Sequence, residues 1–444
     1  MFFMDGYTET RVIFRTGKLA RQSDMEDRYS KGCVFMKGRS TVLLRTFFPE
    51  LDGNRVGVVY EKLRENLQKK GFGQEIHLAG SAYLLSLAAT ARQAGALPED
   101  RSAGEFYRMM LQGEAFCFPF VREDAFRAYF RRQVPVACPA CCWNLLDEFS
   151  SEEFAACVFL DREQAPGKVA RELFVHELAM QLLEICSGER VADLSCCAGD
   201  FLLSAGTREE ALRLHGIEKS PELAGITALR VKIILAREKA GKIPIGLPSE
   251  FFLDWNSASC FFGEDKFSEE HKVVYDKVFA AYPCGVKVSD MEQDCSYVRY
   301  LREADPVFLR GTSAVWCYNR LLKELLAPGG KAVGLIRRSD LEETGDSRVR
   351  RYFLSKGYVE ALVDIPLEIG GERFLLMVFS HGNKTVRFID AATDFKESSD
   401  RSRLAEDIRQ GLDGGFPVRD IPVEEILAMK DCVLVPELPV PEMA

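Results

Sequence analysis

Apolar positions change their period once along the 444-residue chain. Up to about residue 165 they recur at helical spacing, as from Val58 to Leu63 and in Ala82-Tyr83-Leu84-Leu85-Ser86-Leu87-Ala88. From 166 to about 390, short apolar runs alternate with helical stretches, the pattern of a parallel α/β sheet. Seven runs read as strands: Arg190–Leu194, Arg213–Ile217, Glu250–Leu253, Asp276–Ala281, Lys331–Arg337, Tyr358–Asp364 and Phe374–Ser380. Helices are expected over Glu222–Ala240 and Ala314–Leu326, the second stopped by Pro328-Gly329-Gly330 just before a strand. Beyond about 391 the chain turns polar and ends in a Pro-rich stretch from Val435 to Pro441. The expected organisation is a mostly helical domain over 1–165, a Rossmann-like α/β domain over 166–392, and a C-terminal helix with an extended tail over 393–444.

Composition narrows the class. Hydrophobic residues make up 47% and charged residues 28%, enough apolar material for a real core. The net charge of −9 argues against coating nucleic acid by bulk charge, although residues 1–70 are locally basic. Ring and guanidinium side chains mix in Phe126-Arg127-Ala128-Tyr129-Phe130-Arg131-Arg132; a phosphate-contacting surface and an amphipathic helix with a solvated basic side both account for this, the helix more simply. No apolar run approaches the roughly 18–20 residues of a membrane span, and the start has no export signal, so no membrane partner is expected. The 14 cysteines are scattered, which predicts a reducing cytoplasm. The one cluster, Cys138, Cys141 and Cys142, lacks a second knuckle for a four-ligand zinc site, and the five histidines form no metal motif. These thiols read as small buried hydrophobes, and no metal is expected.

Candidate chemistry gathers at strand ends. The first strand runs through Asp193 into Ser195-Cys196-Cys197-Ala198-Gly199-Asp200-Phe201, a turn of small residues before a helix. That layout lets a nucleotide-like ligand approach the backbone of a βα loop. The second strand ends in Gly216-Ile217-Glu218, where an acid can accept from ribose hydroxyls; the third ends in Leu253-Asp254, where a carboxylate can accept from an adenine amino group. Singly these are a helix cap, a surface charge and a turn residue. Three acids on successive strand C-termini mark the rim at which open α/β sheets bind ligands.

With these residues the chain resembles the N6-adenine DNA methylases, specifically the modification subunits of type I restriction-modification systems. Their S-adenosylmethionine loop reads D-P-A-C-G-S-G-G-F-L; Asp193, Cys196, Gly199, Phe201 and Leu202 match, while Leu194, Ser195, Cys197, Ala198 and Asp200 depart. Gly216-Ile217-Glu218 matches the next element, G-x-E. The likeness continues through Leu326–Ala332, Val363–Pro366, Leu376–Ser380, Val386–Ala391 and Glu425–Asp431, so that it covers about residue 165 to the end. It implies a seven-stranded methyltransferase domain, S-adenosylmethionine held by Asp193, Cys196, Gly199, Phe201, Glu218 and Asp254, a DNA substrate, and a hetero-oligomer with a separate specificity subunit.

The catalytic motif departs. The family polarises the adenine amine with the Asn of N-P-P-F/Y and stacks the flipped base on the aromatic ring. Here the motif falls on Ala281-Tyr282-Pro283-Cys284, with no side-chain acceptor at Ala281 and no ring at Cys284. The family's upstream F-Y-T-P aligns best with Leu173-Phe174-Val175-His176, a loop that has drifted as well. The favoured expectation is a methylase with weak or lost catalysis. The alternatives are a methyltransferase acting on another substrate, with Tyr282 as the aromatic surface, and a silent subunit that docks DNA or a partner. Arg337, Arg338, Arg348, Arg350 and Arg351 are candidate phosphate contacts, or else a solvated helix start and strand end.

Overall fold

All seven expected strands form in a computed structural model of the chain, which describes residues 40–97, 102–113, 123–160, 169–209, 211–243, 250–254, 274–281, 287–291, 296–369, 371–391, 418–429 and 431–434. They are β1 (Arg190–Asp193), β2 (Arg213–Ile217), β3 (Glu250–Asp254), β4 (Tyr275–Ala281), β5 (Leu326–Arg337), β6 (Val359–Ile369) and β7 (Glu372–Phe379). Two more, β8 (Thr385–Asp390) and β9 (Val418–Pro422), extend the sheet to nine strands in the order β3-β2-β1-β4-β5-β7-β6-β8-β9. The expected seven-stranded unit is therefore present and enlarged at one edge. β3, β2, β1, β4 and β5 run parallel, and β7 inserts antiparallel between β5 and β6. From β1 the chain builds outward through β2 and β3, then returns to place β4 and β5 on the other side. That reversal opens a crevice at the C-terminal ends of β1 and β4.

Central strands are apolar because helices cover both faces. Phe374 to Phe379 are buried in succession. One core lies between the sheet and the helices Val169–Leu183, Asp200–Gly206 and Pro221–Lys239, and runs on without a break among the N-terminal helices. The other lies under Val315–Glu324 and Ser347–Ser355. Pro328-Gly329-Gly330 lies inside β5 and not before it. Pairing with β4 jumps there from Tyr275↔Leu326 to Lys277↔Lys331. Gly329 takes φ +78°, and a Cβ on Gly330 would stand 2.9 Å from the Ala327 carbonyl oxygen, so the irregularity needs both glycines.

The helical N-terminal part is built from Ser40–Phe47, Gly53–Lys69, Glu75–Gln93, Ala103–Gln112, Glu123–Gln133 and Ser151–Cys157. In Glu123–Gln133, Tyr129 and Phe130 are buried while Arg131 and Arg132 face solvent, which is the amphipathic-helix alternative. Cys138 and Cys142 are fully buried, and burial pushes the Cys138 thiol up to about 12. No described helix is long and apolar enough to cross a membrane.

Four of the five arginines offered as phosphate contacts are engaged within the chain, while Arg348 is exposed. Arg350 is fully buried and donates to the carbonyls of Glu343, Asp431 and Cys432. Arg351 donates to the carbonyls of Leu427 and Met429. Together they fasten the C-terminal helix Val423–Ala428 and the segment after it onto the domain. Arg337 pairs with Asp340 at 2.9 Å, and Arg338 with Glu342 at 2.8 Å. The far tail, 435–444, and the stretch 392–417 of the expected domain boundary lie outside the described residues.

Candidate functional site

The loop after β1 is held from four directions. At the strand end, Asp193 accepts a hydrogen bond from the Ser195 N–H at 3.1 Å. The Ser195 hydroxyl reaches the end of β4, donating to the Ala281 carbonyl at 3.1 Å and accepting from the Ala281 N–H at 3.0 Å. It prolongs the β1–β4 ladder across the crevice. The Cys196 N–H donates to the Ile217 carbonyl of β2 at 3.0 Å, and the Cys197 N–H to the Glu218 carboxylate at 2.8 Å. Helix Pro221–Lys239 contributes the Thr227 hydroxyl, bonded to the Cys197 carbonyl at 2.9 Å, and the Arg230 guanidinium, bonded to the Ala198 carbonyl at 2.9 Å.

This anchoring explains the loop's composition. Gly199 sits at φ +85° as N-cap of helix Asp200–Gly206, and a Cβ there would come within 2.7 Å of Thr227 Cγ2. Cys197 takes φ +49°, a left-handed conformation at the position where the methylase loop has glycine. Gly216 leaves room for the Cys196 sulfur, which would stand 3.0 Å from a Cβ.

The acids converge. Asp193 and Glu218 are only 2% and 3% exposed. Burial pushes the Asp193 carboxyl up to about 8, with a further push from the neighbouring charges of Glu218 and Asp200. Burial also raises Glu218, although it accepts from the Ser220 N–H at 2.7 Å as well as from Cys197. Asp254 closes β3 in register with Ile217, so its backbone stands on the same rim; its carboxylate lies outside the described residues. Phe201 points instead into the core, stacked on Phe279 at 4.5 Å with His176 edge-on to both. His176 lies within helix Val169–Leu183, so the segment aligned with F-Y-T-P is helical and not a loop.

Of the segment aligned with N-P-P-F/Y, Ala281 closes β4, while Tyr282, Pro283 and Cys284 lie outside the described residues. The methyl side chain of Ala281 offers no acceptor, and its backbone N–H and carbonyl are both engaged by Ser195. Four participants were missed from sequence: Ser195, Asp200, Thr227 and Arg230. Arg230 had a visible signal, a single guanidinium within the apolar run Ala224-Gly225-Ile226-Thr227-Ala228-Leu229-Arg230-Val231.

A family model described as N-6 DNA methylase matches residues 170–413. No curated protein matches the chain. Among solved structures, the methyltransferase subunit of a type I restriction-modification system from Streptococcus thermophilus is 13% identical, covers 91% of this chain and 97% of its own, and has a TM-score of 0.51. The modification subunit of a putative type I restriction enzyme from Vibrio vulnificus YJ016 is 14% identical over 84% of this chain and 93% of its own, with a TM-score of 0.55. The type IIG restriction endonuclease BpuSI is 12% identical over 84% of this chain but 46% of its own, with a TM-score of 0.54. At these identities the likeness is one of fold.

Proposed function

The chain belongs to the N-6 DNA methylase family, and from that premise we propose that it is a modification-type subunit that binds S-adenosylmethionine and docks DNA while its adenine-N6 transfer is weak or lost. What supports this reading is the end of β4, where Ala281, the residue that aligns with the family's amine-accepting asparagine, has no side-chain acceptor.

The rim suits the cofactor. Asp193 and Glu218 are buried carboxyls that crowd each other, and a ligand bearing an ammonium group and ribose hydroxyls relieves that crowding. Glu218 takes the Cys197 and Ser220 N–H groups on its two oxygens, with the Lys219 backbone alongside, and a carboxylate has about four acceptor positions, so capacity for a hydroxyl donor remains. Asp193 would face the ammonium end, Glu218 the ribose and Asp254 the adenine. Bound S-adenosylmethionine supplies the electrophilic methyl group. The chain's own part in transfer is to polarise and aim the acceptor nitrogen, and there it falls short. Loss of one preorganised hydrogen-bond partner costs on the order of 3 kcal/mol in the transition state. Loss of a stacking ring removes about 1–3 kcal/mol of base binding. The sum, about 4–6 kcal/mol, corresponds to a rate lower by roughly three to four powers of ten.

A subunit of this kind works in the cytoplasm beside a specificity subunit that reads the DNA sequence. Titration calorimetry with S-adenosylmethionine tests the retained cradle. Saturable heat that Glu218→Ala abolishes is expected; no heat at millimolar cofactor would contradict it.

A further inference from the structure

Arg230 is the side chain through which helix Pro221–Lys239 holds both the helical part of the chain and the loop after β1. It is 2% exposed, in the middle of helix Pro221–Lys239. Its Nε donates at 3.0 Å to the carbonyl of Val158, just beyond the last of the N-terminal helices, and Phe159 lies under the guanidinium at 5.6 Å. Its Nη1 donates at 2.9 Å to the Ala198 carbonyl in the β1 loop and sits 3.4 Å from both oxygens of Asp200. Asp200 is itself 3% exposed, and it occupies a position where the methylase loop has glycine. A planar, permanently charged group with donors on two sides can fix both partners at once, and a buried ion pair of this kind serves geometry more than stability.

We infer that Arg230 is a positioning residue that makes the geometry of the cofactor loop depend on how the N-terminal helices are seated. The inference rests on the cofactor reading above, with the loop as its common element. A shift of the Val158–Phe159 segment moves the guanidinium, and the guanidinium carries the Ala198 carbonyl and Asp200 with it. Whatever engages the N-terminal helices then alters the loop without touching it. Arg237 on the same helix is the natural control. It also ties the N-terminal helices down, through Glu50 at 2.6 Å, through Glu152 and over the ring of Phe48, yet it makes no contact with the loop.

The test uses hydrogen exchange on the cofactor-free, full-length protein. Arg230→Lys keeps a charge opposite Asp200 but cannot hold both carbonyls. Amides over 195–203 should exchange about tenfold faster in R230K, with those of β5 unchanged as the internal reference. Arg237→Met should lower stability and leave 195–203 as in wild type. Phe159→Leu should speed exchange of 195–203 in wild type and add nothing in the R230K background, the non-additivity expected of a shared connection. Equal effects of F159L in both backgrounds, or equal loosening of the loop by R237M, would overturn the inference. S-adenosylmethionine affinity should fall about tenfold in R230K and hold in R237M. If wild type binds no cofactor, the cofactor reading fails while the exchange data still decide the coupling.

Discussion

Replacing Asp193 with asparagine should stabilise the protein, and increasingly so as pH rises. The carboxyl is buried beside Glu218 and Asp200 and titrates near 8, against 3.8 for an ordinary aspartate. In the unfolded chain it ionises freely above its ordinary value, so folding in neutral solution forces it to take up a proton or to bury a charge. A raised native value means that the group's contribution is fully favourable below about pH 4 and is lost as pH climbs towards 8. At about 1.36 kcal/mol per unit, the loss between pH 4.5 and pH 8 is about 4 kcal/mol. Asparagine cannot ionise, and its oxygen can still accept from the Ser195 N–H. Its amide group carries a cost of about 1–2 kcal/mol if left without a partner, but that cost is the same at both pH values. The informative quantity is therefore the difference between two differences: urea unfolding of wild type and D193N, each at pH 4.5 and pH 8. The variant should gain about 4 kcal/mol on wild type between the two pH values. An equal stability difference at both would refute the claim that an unrelieved acid sits at the end of β1.

Other substitutions probe the remaining supports. Ser195→Ala removes both bonds to Ala281 and should cost about 2 kcal/mol by urea unfolding, with an unchanged m-value. Gly199→Ala meets both a φ of +85° and Thr227 Cγ2 at 2.7 Å, and should cost about 2–3 kcal/mol and weaken S-adenosylmethionine binding in calorimetry. Arg350→Met strips three carbonyls of their buried donor and should cost about 3 kcal/mol by the same unfolding assay. Its DNA affinity in a filter-binding titration should match that of wild type, because this guanidinium faces the C-terminal segment and not a phosphate.

The parallel half of the sheet could be read from sequence because its strands are short, largely apolar runs alternating with helices, although Phe252 of the edge strand β3 is exposed. β8 and β9 carry no such signature. β8 alternates exposed and buried positions only over its first four residues, and β9 is an edge strand with Arg419, Asp420 and Pro422 exposed. Pro328-Gly329-Gly330 reads locally as a helix stop, and only pairing with β4 shows it to be an irregularity within a strand. Asp193 and Glu218 were legible as acids at strand ends. The anchors were not: Ser195 meets Ala281 across 86 residues, and Arg230 meets Val158 across 72. Arg350 and Arg351 show the same limit. Their charge is plain in the sequence, but all but one of the carbonyls that absorb it lie some 80 residues away, and proximity to the rim suggested phosphate instead.

The most direct test is methyl transfer itself. With saturating tritiated S-adenosylmethionine and unmethylated double-stranded DNA, the full-length chain should leave adenine N6 at the background level of a no-enzyme control, with or without a specificity subunit. Substantial N6-methyladenine formed by this chain would show that Ala281 is no obstacle, and would contradict the account.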